Sequence, residues 1–230
     1  MNPLTNPAPG RKLAAYALPL VVFLLWMTPI SLLPKLGSAF WLQASEFWIY
    51  PAQTLTCAGL LVWFWRDYEW HRASGFWFAL GVAILVFLLW ISPQAFLGFS
   101  PRAAGFNPEV WVIGSGAYWA TVLFRFLRLV VVVPLVEEIF WRGFLLRYLI
   151  DEKFTEVPFG KFSWLSFSAV TLAFTFAHSS ADWPAAALTG ILYNVVAYRT
   201  RSLSACVLAH AITNLLLGLW IMQTKQWGFW

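Results

Sequence analysis

Two glutamates stand side by side in an otherwise apolar run, Val130-Val-Val-Val-Pro134-Leu-Val-Glu137-Glu138-Ile-Phe-Trp-Arg142-Gly143. An ionisable group among such neighbours must be paired, face a polar cavity, or cost several kcal/mol. On a helix, residues four apart share a face, so Glu138 can pair with Arg142 while Glu137 keeps no local partner. Pro134 has no N–H to give the carbonyl of Val130, which predicts a kink and a free acceptor just before the acids. A desolvated carboxylate there suits a general base. The competing reading is a buried ion network that only orders the structure.

Three further polar positions interrupt apolar runs. His178 ends Phe174-Thr175-Phe176-Ala177-His178, and His210 and Asn214 stand one turn apart in His210-Ala-Ile-Thr-Asn214. Taken singly, each reads as well as an interfacial histidine or as polar glue between helices. Together they suggest hydrolysis of an amide: Glu137 with one histidine activates a water, and the other histidine with Asn214 donates to the oxyanion. In a variant, Glu137, His178 and His210 hold a divalent metal that polarises the water. The zincin spacing His-Glu-x-x-His is absent, and His71, His178 and His210 lie far apart in sequence, so no metal is required. Gly114-Ser115-Gly116 lacks the Gly-x-Ser-Gly spacing of a membrane serine protease, and no Gly-x-Gly-Asp occurs. A scaffold or transporter that binds a ligand with the same polar cluster is the alternative from another class.

The elements that must carry these groups are membrane spans. Of 230 residues, 60% are hydrophobic and 11% charged, and the mean hydropathy is +0.69, which leaves too little polar surface for a water-soluble globule. Apolar runs able to cross a hydrocarbon layer of about 30 Å fill most of the chain. They predict an all-α, polytopic transmembrane helix bundle of about seven spans (six to eight). These cover residues 13–33, 47–65, 75–91, 117–150, 163–179, 184–198 and 203–221, and the region 117–150 is long enough for one span or two elements. Residues 1–12 read as a polar tail and 13–230 as a single membrane domain. Pro93, Pro101 and Pro108, with several glycines, mark 92–116 as a loop.

With seven crossings Arg11, Lys12, Arg66, Arg72, Arg147, Lys153, Lys161, Arg199 and Arg201 share one side, against Lys35, Arg102 and Lys225 on the other. That bias predicts a cytoplasmic N-terminus. The net charge of +5 is scattered between apolar runs, which argues against nucleic acid as a partner. Cys57 and Cys206 lie singly in apolar runs and carry no expected role.

Three motifs in one order resemble a known family. Glu137-Glu138-Ile-Phe-Trp-Arg142 fits Glu-Glu-x-x-x-Arg, Phe174-Thr-Phe-Ala-His178 fits Phe-x-x-x-His, and His210-Ala-Ile-Thr-Asn214 fits His-x-x-x-Asn. The segment of about 130–219 looks like the CAAX protease and bacteriocin-processing family of intramembrane peptidases. The resemblance implies a glutamate-type endopeptidase, with metal dependence an open matter. Glu137 and His178 would activate the water, His210 and Asn214 would stabilise the oxyanion, and Glu138 and Arg142 would brace the helix. The contexts of Pro134 to Gly143, Val157-Pro-Phe-Gly160 and Cys206 further resemble bacterial members associated with exosortase protein sorting. That likeness implies the bacterial inner membrane, a membrane protein or peptide as substrate, protein-sorting components as partners, and no prenylated substrate.

Overall fold

The computed structural model describes residues 9–71 and 74–230. Residues 1–8 of the expected tail, and Arg72 of the topology argument, lie outside the described residues. Among the described residues seven principal helices follow one another: α1 (Pro9–Leu32), α2 (Glu46–Trp63), α3 (Phe76–Phe96), α4 (Gly116–Tyr148), α5 (Trp164–Phe176), α6 (Trp183–Thr200) and α7 (Leu203–Thr224). No strand occurs among them. The expected all-α class is met, and the region 117–150 holds one continuous helix that ends at Tyr148.

Local sequence sets the helix ends. The Ser115 hydroxyl accepts from Tyr118 N–H at the start of α4, and the Ser202 hydroxyl accepts from Ala205 N–H at the start of α7, each satisfying an orphan donor worth about 1 kcal/mol. Between α6 and α7 the chain turns within three residues because Arg201 takes the left-handed conformation, φ 50°.

Polar contacts gather the loops at two opposite ends. At one, the Arg11 guanidinium meets Asp67 at 3.0 Å, Arg147 meets Glu69 at 2.9 Å, and Ser74 donates to the Thr200 carbonyl at 2.6 Å. At the other, Arg102 meets Asp182 at 2.6 Å, and Lys225 meets Glu109 at 2.8 Å. The hydrogen bond from Lys225 to Glu109 holds that ammonium above its ordinary value. Successive helices therefore run antiparallel.

Four stretches are long and apolar enough to cross a membrane: Gly10–Leu36, Phe76–Phe96, Gly116–Tyr148 and Leu203–Thr224. Glu46 and Gln53 dilute α2, Asn194 and Arg199 dilute α6, and α5 has only 13 residues. The outer faces carry Leu25, Val62, Trp77, Leu123 and Leu165 in the open, as lipid-facing helices require.

The core forms where α7 packs along α3, α6 and α4, α5 lies on α6, and α1 lies on α2 and α4. The close approach of α1 and α4 requires Gly143, since a Cβ there would stand 2.8 Å from the Tyr16 ring.

Candidate active site

The middle of α4 is wound in two registers. Residues Leu127–Val132 and Ile139–Leu145 form wide turns with i to i−5 hydrogen bonds, flanking ordinary helix at Val133–Glu138. Such turns are how a helix absorbs a proline, and they concentrate at functional sites. The winding also moves the free acceptor. Val133 N–H reaches back five residues to the Arg128 carbonyl, so Pro134, next in that series, leaves the Leu129 carbonyl open rather than that of Val130. The Asn214 amide fills it, donating from Nδ2 at 2.9 Å. A break in α4 thus orients a side chain on α7, and the second N–H of that amide is left over.

Glu138 and Arg142 are fully buried and pair at 3.0 Å through Glu138 Oε1. Arg142 uses its remaining donors on Asn194 Oδ1 at 3.1 Å and on the Gly190 carbonyl at 3.3 Å. Asn194 in turn donates to Thr171 Oγ1 at 3.2 Å. One guanidinium therefore ties α4 to α6, and through Asn194 to α5. Its charge also lies over the rings of Phe174 and Tyr193, 5.0 Å and 5.4 Å from their centroids.

Glu138 has a second partner that the sequence did not suggest. His210 Nδ1 lies 2.8 Å from the same Oε1, so the carboxylate that braces α4 also fixes the imidazole on α7 and turns Nε2 away from it. No spacing rule links residues on different helices, and Glu138 had been paired with Arg142 alone. Asn194 is likewise a partner of Arg142 from another helix, which no spacing rule links to it. His178 follows α5, where its Nδ1 donates to the Phe174 carbonyl at 2.8 Å. That bond leaves Nε2 with its lone pair exposed. Trp183 Nε1 donates to the His178 carbonyl at 3.1 Å and steadies the turn.

Glu137, His178, His210 and Asn214 line one cavity of about 230 Å³. Glu137 is half-buried and makes no hydrogen bond or ion pair among the described residues. Thr189 and Tyr193 continue the wall from α6.

The cavity mouth comes from elsewhere in the chain. Arg102, Asp182, Gly228, Phe229 and Trp230 border it. The turn Trp227–Phe229 is clasped to the 98–115 loop: Gly228 N–H donates to the Arg102 carbonyl at 2.8 Å, and Arg102 N–H to Gln226 at 3.2 Å. Two glycines make that contact close. A Cβ on Gly105 would meet the Trp227 carbonyl oxygen at 2.3 Å, and one on Gly228 the Ala104 carbonyl oxygen at 2.7 Å. Arg102 had counted only as a loop charge, and neither Asp182 nor the Trp227–Trp230 stretch had been given a place at the site.

Ser115 caps α4, and His71 lies against Phe159 with a ring separation of 5.2 Å, away from this cavity. Among the described residues no three His, Cys, Asp or Glu side chains are grouped as a metal ion would need. The donor set Glu137, His178 and His210 therefore shares a cavity without the mutual closeness of a metal centre.

Fold and cavity define the class: a polytopic helical membrane protein with an uncompensated carboxylate, two oriented imidazoles and an amide around one internal space. Residues 119–216 match the family described as "Type II CAAX prenyl endopeptidase Rce1-like". This segment contains all three ordered motifs, and the resemblance read from them is met by that match. No curated protein and no solved structure matches the chain.

Proposed function

We propose that this protein is an intramembrane endopeptidase that hydrolyses a peptide bond of a membrane-associated protein or peptide through a glutamate-activated water. The observation that carries the reading is the single cavity shared by Glu137, His178, His210 and Asn214, which come from three separate parts of the chain. The match of residues 119–216 to the endopeptidase family supports peptide-bond hydrolysis in general.

Glu137 takes a proton from a water in the cavity while His178 Nε2 accepts the other hydrogen and aims the oxygen. The resulting hydroxide adds to the scissile carbonyl, and the free N–H of Asn214 donates to the oxyanion. In its protonated form His210 donates from Nε2, with Glu138 balancing the charge through Nδ1. Collapse breaks the C–N bond, and the proton held on Glu137 passes to the departing amine. Arg142, through Glu138, Asn194 and Gly190, keeps α4 and α6 in the register this needs.

Quantitative comparison of protein termini in membranes with wild-type protein and with Glu137→Gln tests the reading. New termini that disappear with Glu137→Gln are expected. An unchanged set of termini, or a Glu137→Gln protein with full biological activity, overturns it and leaves a scaffold.

A further inference from the structure

A second charged cluster lies on α4 outside the candidate active site. Arg125 is buried, with 3% of its surface exposed, and its Nε and Nη1 donate no hydrogen bond. Neither Arg125 nor its neighbour Arg128 forms an ion pair among the described residues. Arg128 spends its Nε on Gln53 at 2.7 Å. Around Arg125 stand the rings of Tyr50, Phe106 and Trp230, with centroids at 4.8, 5.2 and 5.5 Å.

Aromatic faces soften the burial of a guanidinium but do not occupy its donors. Arg128 has the charge of Glu137 on its own helix within electrostatic range, but a buried Arg125 with no carboxylate paired to it among the described residues calls for an anion from outside the chain. The space for one is present. Arg125 lines a cavity of about 190 Å³, in which Phe47, Tyr50, Phe106 and Phe124 supply apolar walls and Ala120 stands at an exposed edge. With the 33 residues of α4 centred in a hydrocarbon layer of about 30 Å, Arg125 falls within about one helical turn of its boundary. Lipid phosphates lie just outside that boundary, within reach of a long basic side chain that extends toward it, and basic pockets between spanning helices recognise lipid headgroups.

We infer that the Arg125 cavity between α2 and α4 binds a phosphate group, as carried by the headgroup of an anionic lipid. The fork of unpaired N–H groups matches two phosphate oxygens, and the aromatic walls accept the apolar body beside them. Inorganic phosphate offers the same oxygens without that body.

The test uses the full chain, purified in detergent and mixed with phosphatidylglycerol, phosphatidylcholine or inorganic phosphate, followed by thermal midpoint and by mass spectrometry of retained lipid. Arg125→Gln removes the fork. Ala120→Trp fills the cavity from its exposed edge and leaves the arginine in place, so a folding defect in the first variant does not decide the matter. Phosphatidylglycerol should stay bound and raise the wild-type midpoint well above the phosphatidylcholine value, with retention reduced at least tenfold in both variants. An equal rise with inorganic phosphate, lost in both variants, supports the same site with a free anion as its source. Retention by a folded Ala120→Trp or Arg125→Gln protein equal to wild type overturns the inference, as does an absence of stabilisation by either phosphate source.

Discussion

Glu137 and Glu138 are adjacent and chemically identical, yet their surroundings separate them completely. Glu138 has no exposed surface and shares one oxygen between Arg142 and His210. Glu137 is half-buried at a cavity wall without a partner among the described residues. Substitution should part them in the same way. Glu137→Gln should lower cleavage by about 10²–10⁴-fold with little change in thermal midpoint. Glu138→Ala should strand the buried Arg142 and take the acceptor from His210 Nδ1, cost about 3–5 kcal/mol, and lower the midpoint by roughly 10 °C. Asn214→Ala should lower turnover by about 10²–10³-fold if its spare N–H meets the oxyanion. A peptide cleavage assay beside a melting curve reads all three. A Glu137→Gln protein that melts early but cleaves normally would reverse the two roles.

Among the helices, α4 was legible in outline and not in its winding. Its apolar length, its acids and Pro134 could be read directly, and the pair Glu138 with Arg142 follows from four-residue spacing. The wide turns could not, because their register depends on what α7 offers: Asn214 reaches the carbonyl that Pro134 cannot serve. The same limit hid the contact of His210 with Glu138, which joins helices 72 residues apart in sequence. Close packing was also invisible, since Gly59, Gly81 and Gly143 look alike in the chain. A Cβ at Gly81 meets nothing within 4 Å, whereas one at Gly143 meets Tyr16. Gly143→Val should therefore cost about 1–3 kcal/mol from overpacking, and Gly81→Ala should hold the midpoint or raise it slightly. Equal melting of the two would dissolve the distinction between these contacts.

At the scale of the molecule, the scattered arginines and lysines carry an orientation. The end that gathers Arg11, Arg66, Arg147 and Lys161 should face the cytoplasm, and the end with Arg102 and Lys225 should face outward. Both native cysteines are buried, so an added thiol reports without background. In intact cells a membrane-impermeant maleimide should label Ser100→Cys and spare Glu152→Cys, both at exposed positions. The opposite pattern would invert the protein.

The clasp between the 98–115 loop and the Trp227–Phe229 turn has a consequence for how such a protein can diversify. Glu137, His178, His210 and Asn214 all fall inside the stretch that matches the family, 119–216. Of the residues that frame the entrance, Arg102, Gly228, Phe229 and Trp230 fall outside it and Asp182, the partner of Arg102, falls inside. The proposed reactive groups and most of the doorway are thus written in separate parts of the chain, and the doorway's two segments are joined by glycine contacts that tolerate no side chain. Exchange of the loop and the turn as a pair would give a lineage new clients without disturbing its chemistry, and exchange of either alone would break the seam.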